Sequence, residues 1–289
     1  MDKKGKREKV NKFFLCIFLA AQFCILPFHF YATVGYERDN QKIAITSVPK
    51  SGTHLLRKAI SGLTGKKGYF VCTDYALMHE HQIHHLSSNH MYFTHAVCNE
   101  HNKDIIQKYK MKCVHIIRDP RDQVASLAYW MQKYPQVHSL NMRLPVSQLI
   151  YRSIYRFGDA FARVFPKNIL YHVQNLHTLY DLYLPWMDEP GVLTVRFEHL
   201  VGPNGYDCEN EEQKDFYLKR QLTEIKRIAD YLELNVSDHE IYNVALKLTG
   251  GTRTYRKGKV GDWKNNFTAE HEQAFHDVAG DLLEKMGYA

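Results

Sequence analysis

The stretch Ile43-Ala-Ile-Thr-Ser-Val-Pro-Lys-Ser-Gly-Thr-His-Leu-Leu56 reads as a strand, a loop and the start of a helix. Residues 43–48 form a short buried strand that Pro49 ends. From His54 to Leu63 apolar residues recur at helical spacing, and Gly65 closes the helix. The junction between them carries Lys50, a small Ser51, a flexible Gly52 and a hydroxylated Thr53. Free backbone N–H groups at a helix start, together with the positive helix end, make such a junction an anion cradle, with Lys50 able to reach a bridging oxygen. The Walker A order G-x-x-x-x-G-K-[ST] is absent, and a plain tight turn is the competing reading.

Outward from this junction the chain keeps alternating. The pattern predicts a second strand at 113–117, a turn at Arg118-Asp-Pro-Arg-Asp122 and a helix over 123–131. It then predicts a long amphipathic helix over 147–165, a third strand at 192–197, and helices over 214–232 and 269–286. That alternation points to an α/β domain, a central parallel sheet flanked by helices. Sheets of this kind bind ligands at the carboxyl ends of their strands, where both loops named so far lie. The loop at 202–212 is the one plausible insertion.

Composition narrows the class. With 289 residues, 45% hydrophobic and 24% charged, the chain is an ordinary globular one. Its net charge of +7 is lopsided, because residues 1–12 carry six cations against two acids. The remainder is nearly balanced, which argues against nucleic acid as a partner and for local basic sites that hold a small multiply charged ligand. None of the six cysteines makes a C-x₂-C pair, so a metal signature is missing. Cys16 and Cys24 lie in an apolar run, and Cys72, Cys98, Cys113 and Cys208 are able to pair in an oxidising compartment.

Residues 13–36, beginning FFLCIFLAAQFCILPF, hold no formal charge over 24 positions. This hydrophobic helix is long enough for a signal-anchor, and its basic flank at 1–12 would stay cytoplasmic. The expectation is a single-pass membrane protein with the domain after residue 36 lumenal. A buried or interfacial helix, with the chain cytoplasmic, is the alternative, and a cleaved signal peptide fits less well because Phe30 sits where a small residue is wanted.

Two further segments carry chemistry. Arg118, Arg121 and Ser126 follow the second strand, where Arg118 and Ser126 are spaced to face one phosphate. Arg256-Lys-Gly258 places two cations before a glycine that permits close backbone approach to an anion. Taken singly, the first also fits a capping turn with surface arginines and the second a solvated basic loop. Seven of the 17 histidines fall within 79–101, where solvated loop positions fit better than a metal site. His115 reads as a packed strand residue. Asn235 and Asn266 head glycosylation sequons, the second inside the last basic motif, where its use is not expected.

Together the segments VPKSGTHLL (48–56), VHIIRDPRDQVASLAYW (114–130) and YRKGKVGDWKNNFT (255–268) closely resemble three motifs of sulfotransferases that use 3'-phosphoadenosine 5'-phosphosulfate (PAPS). They stand in the family's order, and the resemblance covers residues 42 to 289 and implies one α/β domain there, a P-loop-like nucleotide-binding fold. It implies that Lys50 is the catalytic lysine and that Ser51, Gly52 and Thr53 hold the 5'-phosphate. It implies that Arg118, Ser126, Arg256, Lys257 and Gly258 hold the 3'-phosphate, that His95 of Phe93-Thr-His-Ala96 is the general base, and that Phe197 borders the adenine. His54 and Leu55 stand at cofactor-binding positions where the family has Thr-Trp, Phe93 replaces a lysine, and 246–255 is short and lacks an adenine-facing Phe. These departures bear on adenine binding more than on the chemistry.

The activity implied is sulfuryl transfer from PAPS to a hydroxyl or amine, an in-line displacement governed by positioning and electrostatics, with no metal required. Lys50 would stabilise charge on the leaving phosphate, and an imidazole of ordinary pKa about 6.5 suits removal of the acceptor proton. A PAPS-binding module without turnover is the alternative; a nucleoside-triphosphate enzyme lacks the Walker A lysine. The motifs favour a small-molecule acceptor such as a phenol, steroid or amine, whereas an anchor at 13–36 favours a glycan or tyrosine acceptor in the secretory pathway.

Overall fold

A parallel sheet of five strands runs in the order β2-β3-β1-β4-β5 through the centre of the molecule. The strands are β1 (Ile43–Ser47), β2 (Lys67–Phe70), β3 (His90–Phe93), β4 (Lys112–Ile117) and β5 (Val192–Arg196). The computed structural model describes residues 41–70, 77–87, 89–135, 142–160, 173–250 and 256–289. The expected tail at 1–12, the hydrophobic segment at 13–36 and Cys16, Cys24 and Cys72 lie outside the described residues. Among the described residues no helix is long and apolar enough to cross a membrane.

β1 is buried at all five positions, as expected of a central parallel strand covered on both faces. Ile43 and Ile45 turn to one apolar cluster and Ala44 to another, following the two-residue period of a strand. The first cluster is completed by α1 (Thr53–Thr64), through Leu56, Ala59, Ile60 and Leu63 at helical spacing. α5 (Glu211–Tyr231) and α6 (Asp238–Lys247) add Ile225, Ile228, Ile241 and Val244 to it. Another layer holds α2 (Glu100–Lys108), and a further cluster packs α3 (Pro120–Lys133), α4 (Val146–Tyr155) and α7 (Ala269–Ala279) around Trp186.

Several boundaries differ from the sequence expectation for local reasons. α3 begins at Pro120, not 123, because the Asp119 side chain accepts from Arg121 N and proline suits the first turn. The helix expected over 147–165 ends at Tyr155, followed by a 3₁₀ turn at Phe157–Ala160, with 161–165 outside the described residues. The helix expected over 269–286 divides at Gly280 into α7 and a short helix at Asp281–Lys285. β2 and β3 are strands the sequence did not announce. Their runs KGYF and HMYF are only four residues long, too short for a clear strand signal.

Strand order fixes where a ligand can sit. The chain leaves β1 towards β2 on one side and leaves β4 towards β5 on the other, so the loops after these two neighbours diverge and open a crevice at their carboxyl ends.

Candidate active site

The loop after β1 turns on Lys50, with φ 75°, and Gly52, with φ 106°. A lysine in the left-handed region costs about 1 kcal/mol, and three hydrogen bonds hold it there. Ser51 N donates to Val48 O at 3.1 Å, Gln123 Nε2 to Pro49 O at 2.8 Å and Arg118 Nη1 to Lys50 O at 3.4 Å. At Gly52 a Cβ would lie 2.6 Å from Phe197 Cδ2, so the close approach of β5's end to this loop requires glycine. Thr53 Oγ1 meets Ser47 Oγ at 2.5 Å, and Ser51 Oγ is buried with no hydrogen-bond partner.

Arg118 leaves β4 into the same crevice. Its guanidinium lies 4.2 Å from the Phe197 ring, Nη2 donates to Lys259 O at 3.0 Å, and Nε is buried and unsatisfied. One side chain thus joins the loop after β1, the loop after β4 and the last basic segment. In that segment Arg256 pairs with Asp262 and stacks 4.2 Å over the Tyr129 ring, while Lys257 Nζ lies 3.1 Å from Asp262 Oδ1. Burial alone would raise the Asp262 pKa, but the bonds from Arg256 and Lys257 outweigh it and hold the carboxyl low. Gly258 has φ 66°, a conformation that favours glycine. Ser126 is half-buried on α3, four residues beyond Asp122 and on the same helix face.

Asp122 is the residue that sequence reasoning passed over. Its carboxylate accepts from Gly261 N at 2.8 Å and Trp263 N at 2.9 Å, and lies 3.8 Å from Arg118. It therefore fastens the last basic segment to the helix that carries Ser126. Nothing in the turn Arg118–Asp122 signals a partner so distant in sequence. Arg121, by contrast, turns away into the helix cap. It bonds Asp119 Oδ2 at 2.7 Å and stacks 4.3 Å over Trp263.

Three further cations bear on Lys50. Burial pushes the Lys50 amine down to about 7, and Arg118, Arg256 and Lys133 press it the same way. Lys50 Nζ lies 5.9 Å from the Trp130 ring. A buried hydroxyl and a buried guanidinium N–H without acceptors, beside a lysine only partly charged at neutral pH, suit a multiply charged anion.

His95 follows β3 at the edge of the crevice. Its Nδ1 lies 2.9 Å from Ser47 O and 3.1 Å from Ser47 Oγ. A carbonyl only accepts, so Nδ1 carries the proton and Nε2 the lone pair. Burial pushes its pKa down to about 4; the Ser47 carbonyl pulls it up, and Lys50 adds to the fall. Tyr183 Oη donates to His95 O at 2.6 Å, fixing the backbone there. His54 lies 6.0 Å from the Phe93 ring, its pKa pushed to about 3 by burial and then by Arg57, Lys50 and His95. Leu55 packs against the apolar cluster beneath α1.

The remaining candidates separate cleanly. The rings of His81 and His84 each neighbour His85, and among the described residues no group of His, Cys, Asp or Glu is arranged to hold a metal. His115 is packed in β4, bonded to Thr46 Oγ1 at 2.8 Å. Cys98, Cys113 and Cys208 are free thiols. Asn266 is tied at both ends of its amide, accepting from Tyr129 Oη at 2.8 Å and donating to Asp262 O at 2.5 Å, so a glycan there would break the site's frame.

No protein-family model matches the chain. Sulfotransferase 6B1 of Danio rerio is 24% identical over 203 residues, which are 62% of this chain and 56% of that protein. Sulfotransferase 6B1 of Mus musculus is 21% identical across 90% of this chain and 84% of its own length. Sulfotransferase 2A6 of Mus musculus is 25% identical across 60% and 57%. The match thus spans little more than half the length of two of these three relatives. Among solved structures, mouse sulfotransferase SULT7A1 complexed with PAP superposes with a TM-score of 0.57 at 19% identity, over 88% of this chain and 87% of that one. Retinol dehydratase in complex with androsterone and the inactive cofactor PAP gives 0.55 at 15% identity, over 84% and 81%. The fold is shared, and the sequence similarity agrees with the resemblance carried by the three motifs.

Proposed function

We propose that this chain, which has the fold of the sulfotransferases and is similar to them in sequence, transfers a sulfuryl group from PAPS to an acceptor hydroxyl or amine. The observation that carries this reading is Arg118, which bonds Lys50 O and Lys259 O and so draws all three motifs into one crevice. Bound PAPS supplies an activated sulfuryl group on a phosphate leaving group. Ser51, Gly52 and Thr53 hold the 5'-phosphate at the start of α1, where N–H groups and the helix dipole favour an anion. Arg118, Ser126, Arg256, Lys257 and Gly258 hold the 3'-phosphate. Phe197 borders the adenine with one ring face already covered by Arg118, and His54 and Leu55 complete the nucleotide side.

Lys50, recharged by the anion, stabilises negative charge as it grows on the leaving oxygen. His95 Nε2 takes the acceptor proton, and the bond from Nδ1 to Ser47 O holds the tautomer this requires. A binding module without turnover has no use for a neutral imidazole oriented beside a phosphate-loop lysine. The motif resemblance favours a small-molecule acceptor over a glycan or tyrosine. Residues 13–36 would act as a signal-anchor with 42–289 lumenal, which retention in membranes after carbonate washing would support and release of the whole chain would overturn.

The test is an acceptor screen with labelled PAPS on the full chain, run beside Lys50→Ala. Loss of Lys50 should lower turnover about 10²–10³-fold while nucleotide still binds. Near-normal turnover in that variant removes the assignment.

A further inference from the structure

We propose that Tyr288 is a positioning residue for the 3'-phosphate subsite, acting through Glu198 and Asp119 on Arg118. The proposal rests on the reading of Arg118 given above. It begins with a carboxylate that the nucleotide site does not use. Glu198 is 7% exposed and follows Phe197 at the end of β5. Its Oε1 accepts from Asp119 N at 2.9 Å, and its Oε2 accepts from Tyr288 Oη at 2.8 Å. A buried carboxylate is tolerated when donors reach both oxygens, and removing one leaves the full desolvation cost of the other partner.

The contacts close into a ring. Arg121 Nη2 donates to Asp119 Oδ2 at 2.7 Å and to Tyr288 O at 3.3 Å. Arg196 holds the same segment from its other side. Its guanidinium lies 4.6 Å from the Tyr288 ring, Nη2 donates to Met286 O at 2.5 Å, and Nη1 reaches Gly287 O at 3.5 Å. Tyr288 N in turn donates to Leu283 O at 2.6 Å. The segment 286–288 is therefore clamped between two arginines, with its hydroxyl on Glu198.

What the ring holds is the backbone immediately beside two nucleotide-site residues. Asp119 is next to Arg118, and Glu198 is next to Phe197, whose ring lies against both Gly52 and the Arg118 guanidinium. Burial already pushes the Glu198 carboxyl up, against the bonds from Asp119 N and Tyr288 Oη. Without the tyrosine hydroxyl the carboxylate gains a further reason to protonate or rotate, and its grip on Asp119 N slackens. Arg118 then starts from a less fixed strand end. A side chain that must present one guanidinium to one phosphate depends on that fixity.

The decisive variant is Tyr288→Phe, which keeps the ring beneath Arg196 and removes one hydroxyl. Calorimetry on the full chain should show PAP bound about three- to tenfold more weakly. Adenosine 5'-monophosphate, which lacks the 3'-phosphate and meets the ring of contacts only through Phe197, should lose clearly less affinity than PAP. Arg196→Gln, which frees 286–288 without touching the hydroxyl, should give the same selective loss and serves if the first variant folds poorly. Equal weakening of both nucleotides, or no change in either, overturns the positioning role. Failure of the unaltered chain to bind PAP at all removes instead the reading on which the role rests.

Discussion

Lys50 sits near its own midpoint of charge at neutral pH, because burial and three neighbouring cations push its pKa to about 7. A polyanion placed among those cations favours the charged form and must raise that pKa again. Binding of PAP should therefore take up a proton. The sign follows: affinity is greatest below pH 7 and falls as pH rises, since each further unit discharges more of the free lysine. Calorimetry in buffers of differing ionisation enthalpy measures the uptake, and Lys50→Met should abolish it; uptake that persists in Lys50→Met refutes this. His95 runs the other way. With a pKa of about 4 it is neutral across the physiological range, so the acid limb of turnover should lie nearer pH 4 than 6.5. His95→Asn should cost about 10²–10⁴-fold in rate with PAP affinity unchanged, and a silent variant would place the base elsewhere. Lys50, Arg118 and Arg256 were legible because each belongs to a local motif. Asp122 was not, because its role consists of two backbone donors at Gly261 and Trp263 that only the tertiary structure brings near.

Among the elements, α3 carries much of the site on one face. Asp122, Ser126, Tyr129 and Lys133 recur at three- and four-residue spacing, so they line one side of the helix. Asp122 holds the last basic segment, Tyr129 supports Arg256 and Asn266, and Lys133 adds to the field at Lys50. Asp122→Asn keeps the shape but turns an amide N–H₂ towards Gly261 N or Trp263 N. One buried donor then loses its acceptor, at about 1–3 kcal/mol, and PAP affinity should fall roughly 5- to 150-fold. Titration calorimetry with PAP checks this, and an unchanged affinity would show that the segment needs no such fastening. The strands show how far elements can be read ahead. β1 and β4 are the more deeply buried strands, and their runs IAITS and KCVHII are rich in β-branched residues, while β2 includes Gly68 and an exposed Tyr69, and β3 emerges from a stretch dense in histidine. Pairing of β2 with β3, and of β3 with β1, makes those two runs strands.

At the scale of the whole molecule, three histidines are held neutral: His115 buried within the sheet, and His54 on α1 and His95 after β3, both partly buried. His115 in β4 is 1% exposed, and burial pushes its pKa to about 3; His54 and His95 are held at about 3 and 4 by the same cause first. In the unfolded chain each would titrate near 6.5. The unfolded state thus binds protons that the folded state refuses, and stability present above pH 6.5 is lost as pH falls towards 4 and 3. Each such histidine contributes about 1.4 kcal/mol per pH unit within that window. His115 is the cleanest probe, because it lies within the sheet, bonded to Thr46 Oγ1 at 2.8 Å, and is not among the residues proposed to hold the nucleotide. Urea unfolding of the full chain at pH 7.5, 6.0 and 5.0 should show a steep fall in stability. His115→Gln can keep the bond to Thr46 but cannot take up a proton, so its curve should start lower at pH 7.5 and decline less steeply, by about one proton's worth of slope. A variant whose stability falls in parallel with the unaltered chain would show that His115 is not a source of the acid sensitivity, and that His54, His95 and the carboxylates carry it alone.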